Sequence, residues 1–207
     1  MENSKQDLYG MKYDSRRRFA SYWHQIREVL ERRPANLLEI GVGSGFVNRY
    51  LRDREILVTS VDSDASLKPD IVGDVRRLEF ADNTYDTSIA YEVLEHIPYQ
   101  DSLKAIGELG RVSQKYVLVS LPDATRVLCL AISLPGIGIV RKLLSIPIFP
   151  RVHIMTKGGH YWEIGKRGYS LSRVKRDIEN NGLTIEKTYR VFENPYHRFF
   201  ILKKIIS

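Results

Sequence analysis

Apolar residues recur along this chain with two different periods, and the alternation between them predicts the architecture. From Tyr13 to about Arg33 they fall at Phe19, Tyr22, Trp23, Ile26 and Leu30, the spacing of one helix face, and Pro34 stops the pattern. Asn36-Leu37-Leu38-Glu39-Ile40 is a short apolar run closed by glycines, after which Phe46, Val47, Tyr50 and Leu51 return to helical spacing. Runs at Ile56 to Val61, Asp70 to Val72 and Tyr85 to Tyr91 predict three further strands, and Leu103, Ile106 and Leu109 a helix. Tyr116-Val117-Leu118-Val119-Ser120 reads as a strand buried on both faces. Ser170 caps a predicted helix carrying Leu171, Val174 and Ile178, with Asn181-Gly182 as its exit. Two last strand-like runs, about Thr184 to Phe192 and Arg198 to Ile205, flank Asn194-Pro195-Tyr196-His197 and predict an antiparallel hairpin.

Strands alternating with helices at these lengths require right-handed crossovers and a parallel sheet covered on both sides. The expected fold class is therefore α/β, a Rossmann-like three-layer sandwich whose mostly parallel sheet ends in an antiparallel C-terminal hairpin. With 207 residues the chain suits one domain, 1–207, with an N-terminal helix at about 13–33 and an insertion at about 124–168.

One stretch within that insertion follows neither period. Val127 to Val140 is almost wholly apolar, Arg141-Lys142 interrupts it, and Leu143 to Phe149 resumes it. A membrane-spanning helix takes roughly 20 uninterrupted apolar residues, and Pro135, Gly136, Gly138 and the charged pair break this run. The favoured expectation is a hydrophobic cap over a substrate site or a surface packed within the protein. A dimer surface, or an interfacial membrane anchor through 127–150 with Arg141-Lys142 toward head groups, are the alternatives.

Composition narrows the class. Hydrophobic residues make up 43% and charged residues 28%, the balance of a folded globular chain. The net charge of +7 suits an anionic partner. However, the basic residues stand in short scattered clusters such as Arg16-Arg17-Arg18 and Lys203-Lys204, without the interleaved aromatics of an RNA-reading sheet, and no nucleic-acid partner is expected. Cys129 is the only cysteine, which excludes an intrachain disulfide and fits a reducing compartment. Met1 to Lys5 is polar where a signal peptide needs an apolar core. The expected location is the cytoplasm, with membrane association as a variant, and the expected state a monomer or homodimer.

In a parallel α/β sheet, ligands bind beyond the carboxyl ends of strands, near the point where strand order reverses. Gly41, Gly43 and Gly45 fall at the end of the first strand. A G-x-G-x-G turn alone is also compatible with plain packing. Its details separate ligands. The dinucleotide fingerprint needs a glycine at position 46, where Phe46 stands. Glu39, two residues before Gly41, would burden a pyrophosphate but can hold an ammonium. Asp62 closes the second strand roughly 20 residues beyond the turn, where a carboxylate can accept from ribose hydroxyls. Asp74 closes the third and can accept from an adenine amino group. Any one of these could be an ordinary loop acid; three at successive strand ends point to a cationic, phosphate-free adenosyl ligand.

Together, Leu38-Glu39-Ile40-Gly41-Val42-Gly43-Ser44-Gly45, Val61-Asp62, Gly73-Asp74-Val75 and Tyr91-Glu92-Val93-Leu94-Glu95-His96-Ile97 resemble the successive motifs of class I S-adenosylmethionine-dependent methyltransferases, especially the small-molecule, quinone-biosynthesis-like branch. The likeness covers about Tyr13 to Pro122. It implies a seven-stranded sheet with the last strand antiparallel, S-adenosyl-L-methionine as cofactor and S-adenosyl-L-homocysteine as product. By the same likeness Glu39 with Gly41, Gly43 and Gly45 would hold the methionine part, Asp62 and the adjoining Ser63 the ribose, and Asp74 with the backbone of Val75 the adenine. The backbone around Tyr91 would line the sulfonium side.

Methyl transfer is an in-line displacement whose acceleration comes largely from positioning, and a base is needed only where the acceptor must lose a proton early. His160 ranks first and Glu163 second for acceptor binding or proton removal, because Gly158-Gly159-His160-Tyr161-Trp162-Glu163-Ile164-Gly165 gathers an imidazole, a carboxylate and two rings between glycines. Core packing by Tyr161 and Trp162, with His160 in a structural hydrogen bond, is the even alternative. His96 is a third candidate that can equally fix a loop, and His153 lies nearby. No His/Asp/Glu spacing along the chain suggests a metal site, and none is expected. The expected acceptor is a small molecule, hydrophobic or lipid-linked, methylated at oxygen or nitrogen rather than carbon. A catalytically silent S-adenosylmethionine-binding partner is the alternative; the glycine spacing opposes a dinucleotide oxidoreductase.

Overall fold

The computed structural model describes residues 13–146, 149–155 and 159–205. Met1 to Lys5, Pro147, Ile148 and Gly158, all invoked above, lie outside them. Helix α1 (Arg16–Arg32) starts where Ser15 Oγ accepts the Arg18 N–H at 3.4 Å, and stops at Arg33, which takes a left-handed conformation just before Pro34. Strand β1 (Asn36–Ile40) leads through the glycine turn into α2 (Phe46–Arg52), then β2 (Leu57–Asp62), β3 (Ile71–Val72), β4 (Tyr85–Tyr91), α3 (Tyr99–Val112) and β5 (Ser113–Pro122). After an insertion come α4 (Leu171–Glu179), capped by Ser170, and the pair β8 (Leu183–Arg190) and β9 (His197–Lys204).

These strands form one seven-stranded sheet in the order β3-β2-β1-β4-β5-β9-β8. β1 to β5 pair in parallel, whereas β9 runs antiparallel to β5 and β8. Order reverses between β1 and β4, which opens a crevice beyond their carboxyl ends. Because successive strand residues face opposite sides, the apolar runs feed two cores. Leu37, Ile89, Leu118 and Ile201 pack with Tyr22, Val29, Val47 and Leu51 from α1 and α2. Leu38, Val117, Val119 and Phe200 pack with Ile106, Leu109, Val174 and Ile178 from α3 and α4. Each fully buried aliphatic side chain stabilises this sandwich by roughly 1.5–3 kcal/mol relative to exposure. Ionic contacts tie helix to sheet, the most buried at Glu28, whose carboxylate accepts from Lys187 Nζ at 2.9 Å and from the Tyr189 hydroxyl at 2.7 Å.

The insertion differs from expectation. Its apolar run is a hairpin, β6 (Val127–Leu134) and β7 (Gly138–Ser145), which forms a two-stranded sheet of its own. Internal packing is overturned, since Leu128, Ile132, Val140 and Leu144 are 38–55% exposed. The register places these four on one face, with Cys129, Ala131, Arg141 and Leu143 on the other. A hairpin standing clear of the main sheet cannot bury both faces; Arg141 ties it down by an ion pair to Glu193 at 2.9 Å. Its two roots are joined by the Ile146 N–H to Arg126 O bond of 2.9 Å, just beyond the carboxyl end of β5. Among the described residues no helix is long and apolar enough to cross a membrane.

Candidate active site

Backbone hydrogen bonds bring the strand-end motifs into one row. Gly41 N–H donates to Val61 O at 2.9 Å, Gly73 N–H to Asp62 O at 3.0 Å and Glu92 N–H to Ser120 O at 3.1 Å, while Ile40 pairs with both Val61 and Ala90. Gly41, Asp62, Gly73 and Tyr91 therefore stand side by side at the crevice. Gly41 has φ of 83°, and a Cβ there would lie 2.4 Å from Val93 Cγ2, so only glycine lets the β1 turn meet the exit of β4 this closely.

Glu39 is buried on the face covered by α1 and α2, where its Oε2 accepts from Asn48 Nδ2 at 2.6 Å. Burial raises its pKa to about 7, against the lowering effects of Asn48 and Arg52. It lines a cavity of about 50 Å³ together with Tyr13, Arg18, Gln25, Tyr91 and the glycine turn. A buried carboxylate and a guanidinium on one small cavity suit a ligand end that carries both an ammonium and a carboxylate. Tyr13, Arg18 and Gln25 were not legible as site residues, because helical periodicity assigns α1 a packing role only. Phe46, in place of the dinucleotide glycine, stacks on Tyr22 of α1 at 5.0 Å, and the Tyr22 hydroxyl lies 3.0 Å from Ser44 Oγ. The glycine turn is thus roofed by an aromatic pair.

The half-buried Asp62 carboxylate shapes its own surroundings: Oδ2 accepts the Val42 N–H and Oδ1 the Asp64 N–H, both at 2.9 Å. Both oxygens retain a second lone pair for a hydroxyl donor. Ser63 beside it is exposed. Asp74 is turned toward Arg76, whose Nε lies 2.9 Å from both of its oxygens, and this pairing holds its carboxyl below the usual range. The adenine role expected of Asp74 would thereby be shared with Arg76, which the sequence analysis did not single out. Val75 is buried, and Tyr91 donates its hydroxyl to Gln25 O at 3.3 Å, so each would meet a ligand through its backbone.

Across the crevice, the segment bearing His160 and Glu163 is bolted to the end of β4. Trp162 is buried, its Nε1–H donates to Ser102 Oγ at 2.9 Å, and Tyr161 N–H donates to Glu95 O at 2.8 Å. Of the two rings expected to pack, Trp162 lies in the core but Tyr161 is exposed, and His160 is set beside His96 with ring centroids 4.9 Å apart. His160 Nδ1 lies 3.2 Å from Glu163 Oε1, which also accepts the Tyr196 hydroxyl at 2.6 Å. Burial raises the Glu163 pKa, but the bonds from His160 and Tyr196 and the charge of Lys166 outweigh it and hold the group at about 2. Glu163 is therefore a fixed anion and a weak proton acceptor. His153 does not reach this group; its Nε2–H donates to the His160 carbonyl at 2.8 Å. Glu92 and His197, brought within 3.4 Å of each other, complete the floor, and burial lowers the His197 pKa.

Residues 38–119 match the family model of the methyltransferase domain. Over that stretch, less than half of its length, the chain is similar to a methyltransferase domain. No curated protein matches the sequence. Among solved structures, the Burkholderia thailandensis 1,6-didemethyltoxoflavin N1-methyltransferase, determined with its acceptor and S-adenosylhomocysteine, superposes with a TM-score of 0.62 at 14% identity, over 98% of this chain and 84% of its own. Magnesium protoporphyrin IX methyltransferase from Synechocystis, with bound S-adenosylhomocysteine, gives 0.63 at 14% identity, over 91% and 84%. The [4+2]-cyclase SpnF gives 0.56 at 15% identity, over 89% and 81%. At these identities the likeness is one of fold.

The methyltransferase match ends at Val119 and so contains Glu39, the glycine turn, Asp62, Asp74 and the Glu92 to His96 stretch. His160, Glu163, Tyr196 and His197 lie beyond it. The second half of the domain supplies the wall opposite the glycine turn, and nothing along the sequence marks those four as neighbours.

Proposed function

We propose that this methyltransferase domain binds S-adenosylmethionine and transfers its methyl group to an oxygen or nitrogen atom of a small, apolar or lipid-linked acceptor. The observation that carries this is the single row formed by Gly41, Asp62 and Tyr91 at the strand reversal, with Glu39 and Arg18 on the cavity beneath. The residues fit the cofactor: Gly41 leaves the space a Cβ would fill, Glu39 is a buried carboxyl met by a neutral amide, and no phosphate-binding glycine stands at Phe46. When bound, S-adenosylmethionine supplies an electrophilic methyl group on a positively charged sulfur.

The chain's own residues do the positioning. Glu39 and Arg18 hold the amino-acid end, Asp62 the ribose hydroxyls, and the backbone at Tyr91 faces the sulfur. The His160, Glu163 and Tyr196 group forms the acceptor wall, with Glu163 orienting the His160 imidazole toward the acceptor. The exposed face of Leu128, Ile132, Val140 and Leu144 supports an apolar acceptor or a lipid surface at the rim. That the [4+2]-cyclase SpnF shares the fold keeps a second reading, a protein of this fold that transfers no methyl group. Labelled S-adenosylmethionine offered with metabolite extracts decides between them: transfer of label to a small molecule is the expected result. Binding of S-adenosylmethionine by calorimetry without any labelled product supports the second reading, and no binding at all refutes both.

A further inference from the structure

Glu95, in the short turn Leu94–His96 after β4, is completely buried, and neither carboxylate oxygen has a hydrogen-bond partner. A buried carboxyl in a folded protein is ordinarily paired, hydrogen-bonded, bound to a cation or held neutral by its burial, which here raises the Glu95 pKa. Two imidazoles stand beside this one: the ligating atoms of Glu95, His96 and His160 all lie within 4.8 Å of one another. Glu92 Oε1, also buried, lacks a partner as well.

We infer that Glu95, His96 and His160 bind a first-row divalent transition-metal ion. Two imidazoles and one carboxylate are a donor set for zinc, cobalt, manganese or iron rather than for calcium, and three protein ligands leave positions open for a substrate atom. Bonds of about 2.1 Å would bring the donors to roughly 3–4 Å of one another, a contraction that the exposed side chain of His96 can supply. The surroundings are those of a metal-binding imidazole. Glu163 Oε1 engages His160 Nδ1 at 3.2 Å, which leaves Nε2 for the ion, and His153 fixes the His160 main chain at 2.8 Å. Sequence spacing missed this site because His160 reaches Glu95 and His96 only through the docking of Trp162.

The ion's role rests on the proposed methyl transfer, although the site itself does not. An acceptor hydroxyl bound at the open position would lose its proton to water more readily. Its oxygen would then form the new C–O bond while the C–S bond breaks and that electron pair stays on sulfur.

Titration of the chelator-stripped full chain with cobalt chloride, followed by visible absorption, tests the site. One cobalt per chain with ligand-field bands is the expected result. Loss of those bands is expected in His96→Ala, whose altered side chain is exposed, in His160→Ala, and in the isosteric Glu95→Gln. Glu163→Gln should weaken binding by about 10- to 100-fold, since it positions His160 rather than touching the ion. Absent bands in the wild type, or wild-type bands in all three ligand variants, overturn the inference. Calorimetry with S-adenosylmethionine on the same samples separates the two claims: donor binding without cobalt uptake refutes the metal site alone, whereas cobalt uptake without donor binding upholds the site and refutes the methyltransferase reading.

Discussion

Glu39 lies buried at the end of β1 with its carboxylate held 2.6 Å from the neutral amide of Asn48. Burial raises its pKa from 4.5 to about 7, so between those values the folded protein binds more protons than the unfolded chain. The stability due to this group is complete below pH 4.5 and is lost as pH rises through about 7. Replacing Glu39 by Gln, which can still accept from Asn48, should therefore stabilise the ligand-free protein by up to about 3 kcal/mol at pH 8 and change little at pH 5. Urea unfolding at both values measures this, and equal effects at the two pH values would refute it. The same variant should bind S-adenosylmethionine at least tenfold more weakly, since an ammonium loses its anion.

Asp62 joins two turns and faces the crevice, so its removal has two separable effects. Asp62→Ala frees the Val42 and Asp64 N–H groups and should cost about 2 kcal/mol of stability as well as donor binding. Asp62→Asn keeps one acceptor oxygen in place, and its smaller loss of stability should accompany a fall in affinity of tenfold or more. Unaltered affinity in Asp62→Asn would show that ribose recognition lies elsewhere.

Gly41→Ala tests the close approach of β1 to the exit of β4. The new methyl would sit 2.4 Å from Val93 Cγ2 on a backbone of φ 83°, and strain with overpacking should destabilise the fold by about 2–3 kcal/mol. Pairing it with Val93→Ala should restore a measurable part of the loss. Additive thermal shifts in that cycle would argue against direct contact.

The β6–β7 hairpin makes few demands on the core. Replacing residues 127–145 by a short turn should leave the thermal midpoint within a few degrees of wild type while abolishing transfer to apolar acceptors and any sedimentation with anionic liposomes. A truncated protein with full activity would exclude the hairpin from acceptor binding, and one that fails to fold would show that it packs more tightly than its exposure implies.

The strand-end row proposed for the donor was legible in sequence because its members sit where periodicity locates them: Glu39 before the glycines, Asp62 one strand on, Asp74 after the next. The acceptor half was not. Glu92, Glu95 and His96 meet His160, Glu163, Tyr196 and His197 across gaps of more than sixty residues, and the residue that closes the shortest of these is Trp162, whose role depends on a hydroxyl in α3. The hairpin did carry a signal, Pro135-Gly136 between two eight-residue apolar runs, with Gly136 at φ 75° in the turn. Its near-continuous apolarity masked the strand period, because both faces are mainly apolar, each carrying one of Arg141 and Lys142.

The anchoring of Trp162 to Ser102 has a consequence for how such a site can diversify. The His160 wall shares the core's rigidity, so drift that enlarged it would loosen α3 at the same time. The hairpin bears no such obligation. Changes in acceptor size can be made there without disturbing the scaffold, which makes the rim the adaptable part of the molecule and the imidazole wall the part its core holds fixed.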